Sequence, residues 1–299
     1  MPLAAFPKCF LDALCVHHTM TAKQWIDQAA DHLDIDGLEF YWGFTPVQAD
    51  ARLHLRQIIH AHGLSMPMMC YSPDFIQPDP AARRAQIEQQ KRVIEATAAL
   101  GGTLCRVLSG QRREDVSQAD GIQMAAECIT SLLPHAEQHG VILILENHYK
   151  DGYWDYPEFA QKQDVFLKLL AAIPHSPWFG VNYDPSNALI AGDDPIALLE
   201  AVKERVVSMH ASDRYFAGGT LEELHEQEAH PQKGYSSILK HGVIGRGLND
   251  YDRIFSILAG VGFQGWVSIE DGDDPAVGME HLRLSAEFLR AKMAEYGLE

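Results

Sequence analysis

Eight short apolar runs, each separated from the next by a longer stretch of helical pattern, constrain this chain more than any other feature. They are FLDALCVHH (10–18), GLEFYW (37–42), LSMPMMCY (64–71), TLCRVLSG (103–110), VILILEN (141–147), WFGVNYD (178–184), VVSMHASD (206–213) and WVSIEDG (266–272). Near-continuous apolar strands are what a parallel sheet covered by helices requires. The intervening segments carry helix punctuation. Asp79-Pro80 opens one and Gly101 closes it, Asp194-Pro195 opens another, and Gly140 closes a third that contains Pro134. Eight β–α units in 299 residues predict a single-domain (β/α)8 TIM barrel over 1–299. An open doubly wound sheet would carry a glycine-rich phosphate turn after its first strand. Here that position reads VHHTMTA.

The connection between Asp213 and the last run is far longer than an ordinary barrel connection. It holds a helical pattern near 220–230 and a glycine-rich return at 242–247. This insertion between strands 7 and 8 is the expected lid over the active face, with a surface excursion as the alternative.

Charge and cysteine usage narrow the function classes. A net charge of −17 repels phosphate backbones and argues against nucleic acid as a partner. No apolar run has the length of a membrane span, and the N-terminal segment lacks the pattern of a signal peptide. Five scattered cysteines without a CxxC pair suggest reduced thiols in a cytoplasmic protein.

Active sites of such barrels lie at the C-terminal ends of the strands. Side chains alternate along a strand, so each run can be split into inward and outward sets. The inward sets of strands five to eight end in Glu146, Asp184, His210 and Glu270. Three carboxylates converging in a partly dry site must take up protons or hold a cation. One imidazole and three carboxylates form a mostly oxygen-donor set. Mn²⁺ suits it best, with Mg²⁺, Co²⁺ or Zn²⁺ as alternatives.

Other residues on these strand ends are candidate substrate contacts. His148 shares the inward side with Glu146, and Arg214 follows His210 by four. His17 ends the first run and Glu39 lies in the second. The aromatic stretch YKDGYWDYPEF (149–159), with Trp154, offers an apolar wall for a sugar or an aglycone.

The segments LENH (145–148), YDPSN (183–187), MHASDR (209–214) and SIED (268–271) resemble the metal-ligand segments of the xylose isomerase-like superfamily of TIM barrels. That superfamily includes sugar isomerases, the D-tagatose 3-epimerase group and endonuclease IV. GVIGRGLNDYDRIFSIL (242–258) is similar to the stretch preceding its last barrel unit. The resemblance implies one divalent metal on Glu146, Asp184, His210 and Glu270. It also implies an isomerase or epimerase acting on a sugar or sugar-derived ketose through an enediolate, with Glu146 and Glu270 as the acid/base pair. Asn187 stands where the epimerases often have His, and Gly152 where they have a substrate-binding Glu. Asn187 is therefore counted with the substrate contacts. Tyr71 and Ser109 occupy positions where endonuclease IV needs additional His ligands, which argues against DNA repair. Tyr71 is also counted as a substrate contact. The departures at Asn187 and Gly152 keep a second reading open, a metal-dependent lyase that expels a β-substituent from a 3-oxo sugar or glycoside. A third is a non-catalytic barrel that binds sugar or a partner protein. A homo-oligomer is the generic expectation.

Overall fold

The computed structural model describes residues 1–270, 272 and 274–298. Asp271, the last residue of the SIED segment, lies outside them. The strands are β1 (Leu3–Ala5), β2 (Gly37–Leu38), β3 (Phe40–Tyr41), β4 (Met68–Cys70), β5 (Leu104–Val107), β6 (Ile142–Glu146), β7 (Phe179–Tyr183), β8 (Val206–Ala211), β9 (Arg214–Phe216), β10 (Leu239–His241) and β11 (Trp266–Ile269). The helices are α1 (Ala22–His32), α2 (Ala49–Ala61), α3 (Pro80–Leu100), α4 (Gln118–His139), α5 (Gln163–Ala172), α6 (Pro185–Ile190), α7 (Pro195–Val202), α8 (Leu221–Glu228), α9 (Tyr251–Gly260) and α10 (Gly278–Glu295).

Barrel closure turns on the second run. The main sheet runs β2-β1-β11-β8-β7-β6-β5-β4-β3, all in parallel register. β2 and β3 are two halves of one strand split at Glu39. The first half pairs with β1 and the second with β4, so the sheet returns on itself as an eight-position TIM barrel.

Seven of the eight apolar runs hold a barrel strand. The first does not. Strand one is Leu3–Ala5, and residues 10–18 instead enter a 3-10 turn and a π-helical turn. An apolar run alone does not distinguish strand from helix. Here Phe10 and Leu14, one helical turn apart, are buried together, and Phe10 packs on Trp25 with ring centroids 5.9 Å apart. His17 and His18 end that turn exposed.

Strand alternation sorts the core into two bodies. Phe6, Met68, Cys70, Leu104 and Ile144 fill the barrel. Leu143, Leu145, Val181, Met209 and Val267 face out into the larger core beneath the helices. The helix punctuation reads as expected. Asp79 accepts from the amides of Ala81 and Ala82 at 2.9 and 3.3 Å, and Gly101 ends α3 at φ +92°. α4 continues through Pro134 to Gly140 at φ +66°.

The insertion after Asp213 is built on a two-stranded antiparallel ribbon of β9 and β10, with α8 between them. It packs on the aromatic 149–159 segment. The Gly234 amide donates to Gly152 O at 2.9 Å, and the Gln232 amide to Asp155 O at 3.0 Å. Its glycine-rich return is tied down by Asp213, whose carboxylate accepts from the amides of Gly245, Gly247 and Asn249 at 2.8, 2.9 and 3.1 Å. A Cβ on Gly247 would stand 2.4 Å from Asp213 Oδ1, so only glycine admits this approach.

Candidate metal centre and cavity

Glu146 ends β6, Asp184 follows β7 as the N-cap of α6, His210 lies in β8 and Glu270 follows β11. All four are buried, and one ligand atom from each lies within 4.8 Å of the others. The in-phase reading of the strands thus brings together the four residues it singled out. Beneath them Asn182 and Ser208 form a polar layer, with the Ser208 hydroxyl donating to Asn182 Oδ1 at 2.7 Å.

Each ligand is held from behind. Asp184 Oδ1 accepts from the Asn187 amide at 2.9 Å and the Ser212 hydroxyl at 2.6 Å. Asn147 clamps the Asp184 backbone, accepting from its amide at 2.8 Å and donating to its carbonyl at 2.6 Å. Glu146 accepts from Arg106 Nη1 at 2.9 Å on Oε2 and from Asn187 Nδ2 at 3.1 Å on Oε1. Lys8 Nζ donates to Glu270 Oε1 at 2.8 Å. His210 Nδ1 lies 3.2 Å from both Glu146 and Glu270, while Nε2 meets Glu39 at 3.0 and 3.1 Å.

The charges do not balance evenly. Burial disfavours the charged form of Glu146, yet His210 and Arg106 bring its carboxyl down to about 2. Lys8 and His210 likewise overcome burial at Glu270 and hold it well below the carboxylate range. Glu39 and Glu146 raise His210 well above the usual imidazole value against the opposing effect of burial. At Asp184 the opposing charges of Arg214 and His210 are outweighed. Burial, Glu270 and Glu146 push its carboxyl up to about 6. Asp184 Oδ2 is buried without a hydrogen-bond partner, and Glu270 Oε2 has only the His210 Nδ1 contact at 3.2 Å. One orphaned and one weakly held carboxylate oxygen among three acids and an imidazole fit a divalent cation, whose charge would satisfy both.

Above the cluster opens a cavity of about 300 Å³. Lys8, Asp12, Arg106, His148, Asp151 and Glu270 supply its charged and polar lining, and Phe6, Tyr41, Tyr153 and Tyr235 its aromatic walls. Tyr235 comes from the insertion, so the segment read as a lid forms one wall. His148 is buried, with Nδ1 3.1 Å from Glu158 Oε2. Glu158 is fixed by the Ser109 amide and hydroxyl at 2.7 and 2.8 Å.

Of the candidate substrate contacts, His148 lines this cavity. Trp154 is buried behind it, edge-on to the imidazole at 6.3 Å, while its neighbour Tyr153 reaches the cavity. Five others fall elsewhere. Glu39 is fully buried under His210, because the strand splits there and turns the side chain into the barrel. Asn187 is buried and bonded to Glu146. The Tyr71 hydroxyl donates to Gln86 of α3 at 3.2 Å, which leads it away from the cavity. Arg214 is buried with its guanidinium 5.3 Å from the Tyr149 ring centroid. His17 is exposed on the helical turn that replaced the expected strand.

Three site residues escaped the sequence reading, among them Glu158, which sits unmarked in the aromatic 149–159 stretch. Arg106 carried a signal, being a lone charge in an apolar run, in register with Ile144 and so on the inward side with Glu146. Lys8 carried none, since it lies in the turn after β1, ahead of the run taken for strand one.

A parallel eight-position barrel with one imidazole and three carboxylates at the C-terminal ends of its strands defines a TIM barrel whose mouth could hold a metal ion. The chain belongs to the xylose isomerase-like TIM barrel family, whose model matches residues 26–292. It is similar to an inosose dehydratase from Bacillus thuringiensis (strain Al Hakam), 23% identical over 162 residues that make up 52% of this chain and 50% of that protein. The match thus spans about half the length of the curated relatives. Among solved structures, the IOLI protein with a bound zinc atom superposes with TM-score 0.77 at 16% identity, covering 99% of both chains. A D-tagatose 3-epimerase-like protein does so with TM-score 0.75 at 16% identity, covering 99% of this chain and 98% of that one. Among the described residues, no helix is long and apolar enough to cross a membrane.

Proposed function

We propose that this protein is a divalent-metal-dependent lyase that dehydrates a carbonyl-bearing polyol such as an inosose or a 3-oxo sugar. The observation that carries this reading is the placement of the acid/base groups. His148 lines the cavity, backed by the buried carboxylate of Glu158. Glu146 does not line it, and its oxygens accept from Arg106 and Asn187. This placement favours an imidazole–carboxylate dyad over the symmetric pairing of Glu146 and Glu270 expected from the sequence. The similarity to inosose dehydratases supports the same reading.

Glu146, Asp184, His210 and Glu270 would hold the cation, and three oxygen donors with one nitrogen favour Mn²⁺. When bound, that ion supplies Lewis-acid polarisation of the substrate carbonyl. His148 removes the proton from the carbon next to the carbonyl, with Glu158 stabilising the imidazolium. The C–O bond to the β-hydroxyl then breaks, the double bond forms in conjugation with the carbonyl, and the imidazolium returns its proton to the departing oxygen as water. Tyr41, Tyr153 and Tyr235 cover the apolar faces of the ring and exclude bulk water.

An isomerase or epimerase is the second reading, favoured by Glu270, which also faces the cavity and offers a second proton-transfer group. Incubating the Mn²⁺-loaded protein in D2O with an inosose, a 3-oxo glycoside and free ketoses separates the readings. A conjugated enone absorbing in the ultraviolet is the expected product. Deuterium incorporation with inversion and no enone would replace the lyase by an epimerase. No turnover of any of the three substrates would leave a binding-only barrel.

A further inference from the structure

We infer that the outer face of the barrel, where α3 lies against α4, carries a second metal site formed by Glu95, His135 and His139, chemically distinct from the centre in the mouth. His135 and His139 are four residues apart on α4, so they project from one face of the helix. Their ring centroids are 4.6 Å apart. Glu95 reaches across from α3, with Oε1 3.2 Å from His135 Nε2. One ligand atom from each of the three residues lies within 4.8 Å of the others.

This grouping differs from an ordinary surface ion pair. A single carboxylate needs only one imidazole, and here two converge on it. Two His in i, i+4 spacing are a bidentate chelate whose geometry the helix has already fixed, so little conformational entropy is lost on binding. The two imidazoles are partly buried, with His135 21% exposed, while Glu95 reaches them from an exposed position. His139 is the last residue of α4, where the unpaired carbonyls of the helix end favour a cation. Three protein donors leave a fourth position for water.

The donor set fixes the kind of ion. Two imidazoles and one carboxylate select Zn²⁺, Ni²⁺ or Cu²⁺ over Mn²⁺ or Mg²⁺. The mouth, with one imidazole and three carboxylates, has the opposite bias. The two sites therefore sort ions between them. An ion on the outer face would clamp α3 to α4, the helices on either side of β5 in the chain, and β5 carries Arg106 to the mouth.

The test uses the full chain with Mn²⁺ first loaded in the mouth, then Zn²⁺ added, with bound metal counted by equilibrium dialysis and elemental analysis. The comparison is His135→Gln/His139→Gln, surface changes outside the mouth. Wild type is expected to take up one Zn²⁺ more per chain than the double variant and to gain about 2–4 °C in Tm, with that gain absent from the variant. Equal zinc uptake by the two proteins, or an equal Tm gain, overturns the site. Because the metal-free variant should melt with wild type, a lower Tm before zinc is added would assign the three residues to packing instead and equally overturn the proposal.

Discussion

Glu39 carries both its carboxylate oxygens to within 3.0 and 3.1 Å of His210 Nε2, leaving Nδ1 of the same ring turned toward Glu146 and Glu270. The Cys70 thiol donates to Glu39 Oε1 at 2.7 Å, so the chain of contacts runs from the barrel interior to the candidate metal cluster. A carboxylate behind a ligating imidazole fixes the tautomer and the ring plane. Glu39→Gln should keep the fold and lower Mn²⁺ affinity by about 10–100-fold. Titration of Mn²⁺ followed by electron paramagnetic resonance measures this directly. An unchanged dissociation constant would remove Glu39 from the metal centre.

Asp184 sets the pH dependence of metal loading. Its carboxyl rises from an ordinary 3.8 to about 6 because burial and the charges of Glu270 and Glu146 disfavour another anion. In the metal-free protein this group contributes stability below its ordinary value, and that contribution is lost as pH climbs through about 6. A bound cation needs the ionised form and removes the penalty. The Tm gain on adding Mn²⁺ should therefore be small near pH 5 and grow toward pH 7. Thermal melts with and without Mn²⁺ across that range check it, and a flat difference would contradict the assignment.

Lys8 compensates Glu270, with its side chain only 11% exposed. Lys8→Met leaves the Glu270 carboxylate without its cation in a nearly dry site. Stability of the metal-free protein should drop by roughly 1–3 kcal/mol. Mn²⁺ should restore more stability to this variant than to wild type, because the ion replaces the missing charge. Urea denaturation of both proteins, with and without metal, gives the comparison. Equal metal-induced gains would show that Lys8 and the ion do not share Glu270.

The barrel and the convergence of the four residues at its mouth were legible because one period governs both. Leu143 and Leu145 alternate with Ile144 and Glu146, so the rule that assigns the core also aims the carboxylate. Arg106 obeyed the same rule and was readable in principle. Strand one was not readable, because Leu3–Ala5 is too short to show alternation while Phe10 and Leu14 mimic a strand within an apolar run. That displacement cost both His17, placed on a strand end that does not exist, and Lys8, hidden in the turn. Glu39 was found but misread. Nothing local in GLEFYW marks the split that turns its side chain under His210 rather than into the cavity.

Gly247 makes the insertion's anchor sensitive to a single methyl group. Its would-be Cβ lies 2.4 Å from Asp213 Oδ1 and 2.7 Å from Asp213 O. Gly247→Ala must push Asp213 aside and loosen its bonds to the Gly245 and Gly247 amides, at a cost of about 1–3 kcal/mol. Gly218→Ala is the contrast. That residue has φ +82° with open space around it, so only backbone strain of about 1 kcal/mol is expected. Denaturant midpoints rank the two, and a larger loss for Gly218→Ala would contradict the steric argument.

His148 and Glu158 separate chemistry from metal binding. Neither is among the four converging ligands, yet His148 lines the cavity and Glu158 holds its Nδ1 at 3.1 Å. His148→Ala should lower kcat for the dehydration by about 10²–10⁴-fold, the span expected when a general base is lost. Mn²⁺ affinity should stay within a few-fold of wild type. Glu158→Gln keeps a hydrogen-bonding side chain but removes the charge that stabilises the imidazolium. Its kcat should therefore fall less than that of His148→Ala, and KM should change little because Glu158 is fully buried behind the imidazole. Steady-state assays on an inosose, paired with Mn²⁺ titrations of each variant, provide both numbers. If His148→Ala lost metal as readily as Asp184→Asn, the imidazole would belong to the ion's surroundings, and the proton would have to be taken by one of the cavity carboxylates, Glu270, Asp12 or Asp151.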